Sequence, residues 1–243
     1  MKLKIPILPF SIEVVRHKKK QVPAKLPTID HDDVHRDYNK IFCIGFVKTG
    51  TSSMAKLLKQ FGFIIGNQPV AEVLAEDWSI HKRVERIISF CYTADAFQDA
   101  PFGYPGLYRE LDKAFPRSKF ILTVRDSPEQ WFDSLVRFHT KMFSSDKSRP
   151  PDEEDKRNAL YRYKGFMLQS ARNNWDYPNV PMYDEKEYKQ RYSNHNDDIR
   201  AYFKDRPDDF IEINVGHKRD FKRLCAFLKV TTKLQDFPWE NKT

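Results

Sequence analysis

The segment Gly45-Phe46-Val47-Lys48-Thr49-Gly50-Thr51-Ser52-Ser53 constrains this chain more than any other. Ahead of it, Ile41 to Phe46 is a short, continuous apolar run rich in strand formers, the pattern of a strand buried on both faces. After it, Met54, Leu57, Leu58 and Phe61 recur at helical spacing, and Gly62 supplies a stop. A strand, a glycine-containing turn and a helix in immediate succession aim backbone N–H groups and the helix N-terminus at one location, which favours an anion there. Lys48 adds a positive charge; Thr49, Thr51, Ser52 and Ser53 add hydroxyl donors. A turn that merely caps a helix has a similar composition, so the segment alone leaves that reading open.

The same alternation returns downstream. A helix is expected over Tyr108 to Phe115, stopped by Pro116, then a buried strand over Lys119 to Val124. Ser127-Pro128-Glu129-Gln130 reads as an N-cap, an N1 proline and a capping-box partner opening a helix through about Phe143. Asp209 to Val215 resumes as a strand, and Phe221, Leu224, Cys225 and Leu228 share one face of a last helix. Strands alternating with helices predict an α/β, three-layer, P-loop-like fold, a central parallel β-sheet flanked by helices. The expected organisation is an irregular arm over residues 1–38, then one domain over 39–243. Within that domain, 144–208 is a polar, mostly helical stretch with turns at Arg149-Pro150-Pro151 and Tyr177-Pro178-Asn179.

The pattern GxxxxGK[ST] of ATP and GTP sites fits Gly45 and Gly50 but requires lysine where Thr51 stands. Such a site also needs an acidic residue at a strand end to help hold magnesium, and the sequence shows no clear candidate. A kinase with a degenerate loop is therefore disfavoured. The formal net charge of +8 favours an anionic partner, yet 34 acidic residues are interleaved with the basic ones. A small polyanion is enough to answer that charge, and no nucleic-acid partner is expected. A polyanion-binding module without turnover stays open as a non-enzymatic reading.

Cys43, Cys91 and Cys225 have no paired spacing and read as buried thiols in a reducing, cytoplasmic compartment. The apolar stretch at the N-terminus is broken by Pro6, Pro9 and Glu13, so stable membrane insertion is not expected. Arg16 to Lys20 reads as a solvated arm, with a targeting or membrane-surface patch as the other reading. No His, Cys or Glu cluster has metal-ligand spacing, so no metal is expected. Homodimer formation is left open.

GFVKTGTSS after a strand resembles the 5′-phosphosulfate loop of the sulfotransferases that use 3′-phosphoadenosine 5′-phosphosulfate (PAPS). Lys119 to Leu135, KFILTVRDSPEQWFDSL, is similar to that family's strand–arginine–helix element for the 3′-phosphate. The tail Phe237-Pro238-Trp239-Glu240-Asn241 and the segment Tyr192 to Phe203 look like a microbial and invertebrate branch. The resemblance spans roughly residues 40 to 241. It implies transfer of a sulfuryl group from PAPS to a hydroxyl or amine of a small-molecule or carbohydrate acceptor, releasing PAP.

The resemblance assigns Lys48 to the transition state and, with Thr49, Gly50, Thr51, Ser52 and Ser53, to the 5′-phosphosulfate. It assigns Arg125 and Ser134 to the 3′-phosphate. The family usually places that serine eight residues after the arginine. Here Asp133 holds the eighth position and Ser134 the ninth, an offset that Ser127 explains if it lengthens the turn.

Sulfuryl transfer to oxygen needs a base for the acceptor proton. Asp99, in Phe97-Gln98-Asp99-Ala100-Pro101, stands where family members with His-x-Pro have their imidazole; it reads equally as a capping or turn residue. His81 is the rival base, while His139 reads as a helix-face residue. His195 either touches substrate or braces the fold. Of Trp131, Phe132, Phe138, Phe143, Tyr161, Tyr163, Phe166 and Trp175, most are expected in the core.

Overall fold

The computed structural model describes residues 37–238. The expectations for Arg16 to Lys20 and for Trp239 to Asn241 fall outside the described residues. Four parallel strands, β1 (Ile41–Cys43), β2 (Ala96–Phe97), β3 (Lys119–Thr123) and β4 (Phe210–Ile213), form one sheet in the order β2-β1-β3-β4. Every pairing is parallel, with Ile41 opposite both Ala96 and Lys119, and Phe120 opposite Phe210.

The helices are α1 (Thr51–Gln60), α2 (Gln68–Val73), α3 (Ala75–Ser79), α4 (Glu85–Cys91), α5 (Leu107–Ala114), α6 (Pro128–Phe143), α7 (Glu153–Asn158), α8 (Phe166–Trp175), α9 (Glu185–Phe203) and α10 (Lys218–Phe227). Strand residues alternate between the two faces of the sheet, as the pleat requires. Phe42, Phe97, Phe120 and Leu122 turn to one side, against α4, α5 and α9. Ile41, Cys43, Ile121, Ile211 and Ile213 turn to the other, against Met54, Leu57 and Leu58 of α1 and Phe221 and Leu224 of α10. The result is the expected α/β architecture, with a parallel sheet between two helical layers.

Two expectations shift. The first strand ends at Cys43, although Ile44 still donates its N–H to Ile121 O at 2.9 Å. Strand β2 has no sequence signature, since two residues cannot display a period. The capping signal at Ser127 is realised: its side chain accepts the Gln130 N–H, and Pro128 opens α6. All three cysteines are free; Cys43 and Cys91 are buried and Cys225 is half-buried.

A third cluster stands off the sheet. Trp131, Phe132 and Leu135 of α6 meet Trp175 of α8 and Tyr188 and Tyr192 of α9, with Phe46 among them. Beside it Lys156 of α7 is 2% exposed, its Nζ 4.6 Å from the centroid of the Tyr183 ring. No carboxylate is in ion-pair range of Lys156 among the described residues, and burial lowers its ammonium from the ordinary 10.5 to about 8. Below pH 8 it is charged in both folded and unfolded chains, and the full burial cost opposes folding. Between pH 8 and 10.5 the folded chain sheds the proton first, so that cost is relieved as pH rises. Lys156→Met is therefore expected to raise stability at pH 7 by about 2 kcal/mol. Urea melts at pH 7 and pH 10 check it, with the gain shrinking at the higher pH.

Candidate active site

The loop between β1 and α1 is held by its carbonyls. Thr49 Oγ1 donates to Phe46 O at 2.6 Å, Trp131 Nε1–H to Val47 O at 2.9 Å, and Arg125 Nε–H to Lys48 O at 2.8 Å. Three successive C=O groups are thus tied back by side chains from the loop itself, from α6 and from the segment after β3. Within α1 the Met54 amide donates to Gly50 O at 3.0 Å. Those of Thr51 and Ser52 have no backbone acceptor among the described residues and stay among the open donors of the helix start.

Gly50 caps α1 at φ 104, and a Cβ there would stand 2.3 Å from Val215 Cγ2, just beyond β4. A side chain is excluded twice, by backbone conformation and by space. Lys48 also has a left-handed backbone, φ 69. Its Nζ sits 3.7 Å from the centroid of the Phe138 ring on α6. Burial, reinforced by the Arg125 guanidinium, lowers the Lys48 ammonium to about 8, while Asp99 pulls the other way.

Arg125 follows β3, its own N–H donating to Tyr192 Oη at 3.0 Å. Asp126 and Glu129, the acids nearest to it along the chain, are otherwise engaged. Asp126 meets His217 at 2.9 Å and accepts from Asn214, and Glu129 meets Lys189 at 3.1 Å. No carboxylate is in ion-pair range of Arg125 among the described residues, so Nη1 and Nη2 are available to a ligand. Arg137 and Lys141, one turn apart on α6, likewise lack an acidic partner there, and both depress the Lys48 ammonium. Sequence reading passed over this pair, whose only signal was i, i+4 spacing on the helix that follows Arg125.

A cavity of about 560 Å³ opens beside the loop. Lys48, Gly50, Thr51, Ser52, Ser53 and Arg125 line one end, and Asp99 faces the same space. Asp99 stands two residues past β2 at φ 62. Its Oδ2 accepts from Thr51 Oγ1 at 2.9 Å and its Oδ1 from the Ala100 N–H at 2.8 Å. Burial raises its carboxyl above the ordinary 3.8 against those hydrogen bonds and the pull of Lys48. A carboxylate whose basicity is raised, next to a lysine whose acidity is raised, suits proton removal under a cation.

Two assigned residues sit differently. Thr49 is fully buried, and its hydroxyl also meets Thr123 Oγ1 at 2.6 Å, so that side chain holds the loop. Ser134 is buried on α6 outside the cavity lining, and its Oγ has no hydrogen-bond partner among the described residues. His81 lies exposed in the turn after α3 and does not line the cavity, although Ser79 and Lys82 on either side of it do. His195, 4% exposed, meets Ile44 O through Nε2 at 2.9 Å and stacks on Phe46 at 4.4 Å, and burial lowers its imidazole to about 4. It ties α9 to the residue after β1 and also lines the cavity.

Much of the remaining cavity lining is aromatic. Phe138, Phe143, Tyr161, Phe166 and Trp175 belong to it, so more of the aromatic residues face this space than composition suggested, while Trp131 and Phe132 are core. His139 and Glu72 line the cavity too. Glu72 of α2 binds Arg162 from the turn before α8 and accepts from Tyr161 Oη at 3.3 Å. Nothing in the sequence around Glu72 announced this contact, which joins residues 90 apart.

An anion loop whose carbonyls are tied back, on a parallel sheet and beside a buried acid, defines a group-transfer enzyme of P-loop-like architecture. Residues 40–243 match the family model described as a sulfotransferase domain. The chain belongs to the sulfotransferase family, and its chemistry is sulfuryl transfer to an acceptor. No curated protein matches the chain closely enough to carry a comparison. No described helix is long and apolar enough to cross a membrane.

Proposed function

We propose that the sulfuryl donor is PAPS and that the acceptor is a small molecule or carbohydrate presenting a hydroxyl or amine. The observation that carries this reading is the pairing of the tied-back loop with Arg125, whose nearest acids along the chain are bound elsewhere. The fit extends to Ser134, whose buried, unpartnered Oγ is a polar group that a phosphate oxygen would satisfy. PAPS supplies an activated sulfuryl group and leaves as PAP.

The remaining work falls to the chain. The amides and hydroxyls of residues 50–53 and the Lys48 ammonium hold the 5′ end, while Arg125 with Ser134 holds the 3′-phosphate. Lys48 neutralises charge that grows on the departing side. Asp99 takes the acceptor proton, and its hydrogen bonds from Thr51 and Ala100 fix the carboxylate next to the loop. The aromatic lining gives the acceptor an apolar surface to lie against.

The test is a thermal-shift titration with PAP, run in parallel with ATP plus magnesium, since a ligand bound only by the native state raises its apparent stability. Stabilisation by PAP alone is expected. A response confined to ATP with magnesium would shift the reading to a kinase, and silence from both to a polyanion-binding module. Arg125→Ala is expected to weaken PAP by about 100-fold, because two charge-assisted hydrogen bonds at about 1.5 kcal/mol each are lost. Calorimetric titration measures it, and affinity retained within threefold would remove Arg125 from the phosphate site.

A further inference from the structure

His139 of α6 lines the cavity. Its ring is clamped edge-on, 5.6 Å from the Phe143 centroid and 5.7 Å from that of Tyr183. Its Nδ1 lies 2.9 Å from Tyr183 Oη, the one hydrogen-bond partner found for that hydroxyl among the described residues. A phenol has a single proton to place, and an acceptor within the protein satisfies it. Tyr183 is half-buried, and with hydrogen on Nδ1 its phenol proton would have no protein acceptor among the described residues. The arrangement that pairs both groups within the protein has Tyr183 O–H donating to Nδ1.

The surroundings favour the neutral imidazole. Burial drives its pKa well below 6.5, and the ammonium groups of Lys156 and Lys48 push the same way. A neutral ring that accepts at Nδ1 carries its hydrogen on Nε2. His139 thus offers one donor and no basic nitrogen to the cavity. At the reacting end, Asp99 receives a hydroxyl proton. Phe138, Phe143, Tyr161 and Phe166 line the same cavity as these two groups.

We propose that His139, oriented by Tyr183, determines acceptor specificity by donating from Nε2–H to an uncharged oxygen of the acceptor. The acceptor class is an alcohol with a flat apolar body and a second, lone-pair-bearing oxygen of the carbonyl, ester or ether type. His139 contacts substrate; Tyr183 is a positioning residue that sets the tautomer. This inference rests on the sulfotransferase reading above for its assay, and on the Tyr183 contact for its geometry.

Two measurements on the full chain test it. Long-range 1H–15N correlation with histidine-labelled protein, with the His139 signals identified by their loss in His139→Gln, is expected to show hydrogen on Nε2. Tyr183→Phe is expected to release the ring into mixed tautomers. PAPS-driven sulfation is then compared for benzyl alcohol and methyl 3- and 4-(hydroxymethyl)benzoate. An ester is expected to exceed benzyl alcohol at least tenfold in kcat/KM, chiefly through KM. His139→Leu is expected to collapse that ratio below threefold, and His139→Gln, which keeps an N–H donor, to retain most of it.

Hydrogen on Nδ1, esters no better than benzyl alcohol, an unchanged ratio in His139→Leu, or no probe sulfated by a chain that binds PAP would each overturn the proposal. A chain that PAP does not stabilise fails at the donor instead. The tautomer then decides the Tyr183–His139 geometry alone.

Discussion

Asp99→Asn is expected to lower kcat by about 10²–10⁴-fold while PAP affinity stays within about threefold. Asparagine keeps an oxygen for the Ala100 N–H and nearly the same volume, so what is lost is the charge and the basic lone pair. The pH profile separates this loss from general damage. Asp99 works only as a carboxylate, and burial places its pKa above the ordinary 3.8, so kcat/KM of the wild type falls as acid protonates it. Lys48 works only as a cation, so on the alkaline side kcat/KM falls as pH rises through about 8. The asparagine variant should lose the acid limb and keep the alkaline one. Both limbs surviving, with kcat within tenfold of wild type, would move the base elsewhere. Acceptor-dependent PAP release over pH 4 to 10, with calorimetry for PAP, reads both quantities.

Lys48→Ala is expected to cost about 10²–10³-fold in kcat, the usual effect of removing one donor that stabilises transition-state charge in a water-poor site. Unlike Asp99→Asn, it should also weaken PAP, by about tenfold, and it should abolish the alkaline limb near pH 8. Lys48→Arg is not expected to restore activity. The lysine reaches its position from a backbone at φ 69 with Nζ 3.7 Å from the Phe138 centroid, and a planar guanidinium does not fit the place of a compact ammonium there. Single-turnover kinetics at saturating PAPS separate the two effects. An Ala variant that retains kcat within threefold would take Lys48 out of the transition state.

The loop and arginine proposed to hold the donor were largely legible in the sequence because their parts are local. One nine-residue segment carries the loop, and one strand–arginine–helix segment carries Arg125 and Ser134. Even there the sequence could not show that Thr49 turns inward to Thr123, because a threonine's rotamer follows from neighbours 74 residues away. The rest of the cavity lining was much less legible. Glu72 meets Arg162 across 90 residues, and His139 meets Tyr183 across 44. Both contacts depend on how α2, α6, α8 and the turns beside them converge, which no local period encodes. His139 read as an ordinary helix-face residue for that reason, and His81 as a possible base, although the turn after α3 leaves it in solvent. The two-residue strand β2 was silent for a simpler reason, and with it the setting of Asp99.

The contact between Gly50 and Val215 bears on the order in which this enzyme comes into being during synthesis. The phosphate loop emerges from the ribosome early, yet the side chain that fills the space above its second glycine lies 165 residues later. Asn214, whose Nδ2 donates to Asp126 beside Arg125, arrives with it. A nascent chain halted before β4 would carry every residue of the donor loop without the wall that shapes it. Competence to hold the sulfuryl donor is therefore expected to appear late and abruptly, so that unfinished chains do not sequester it.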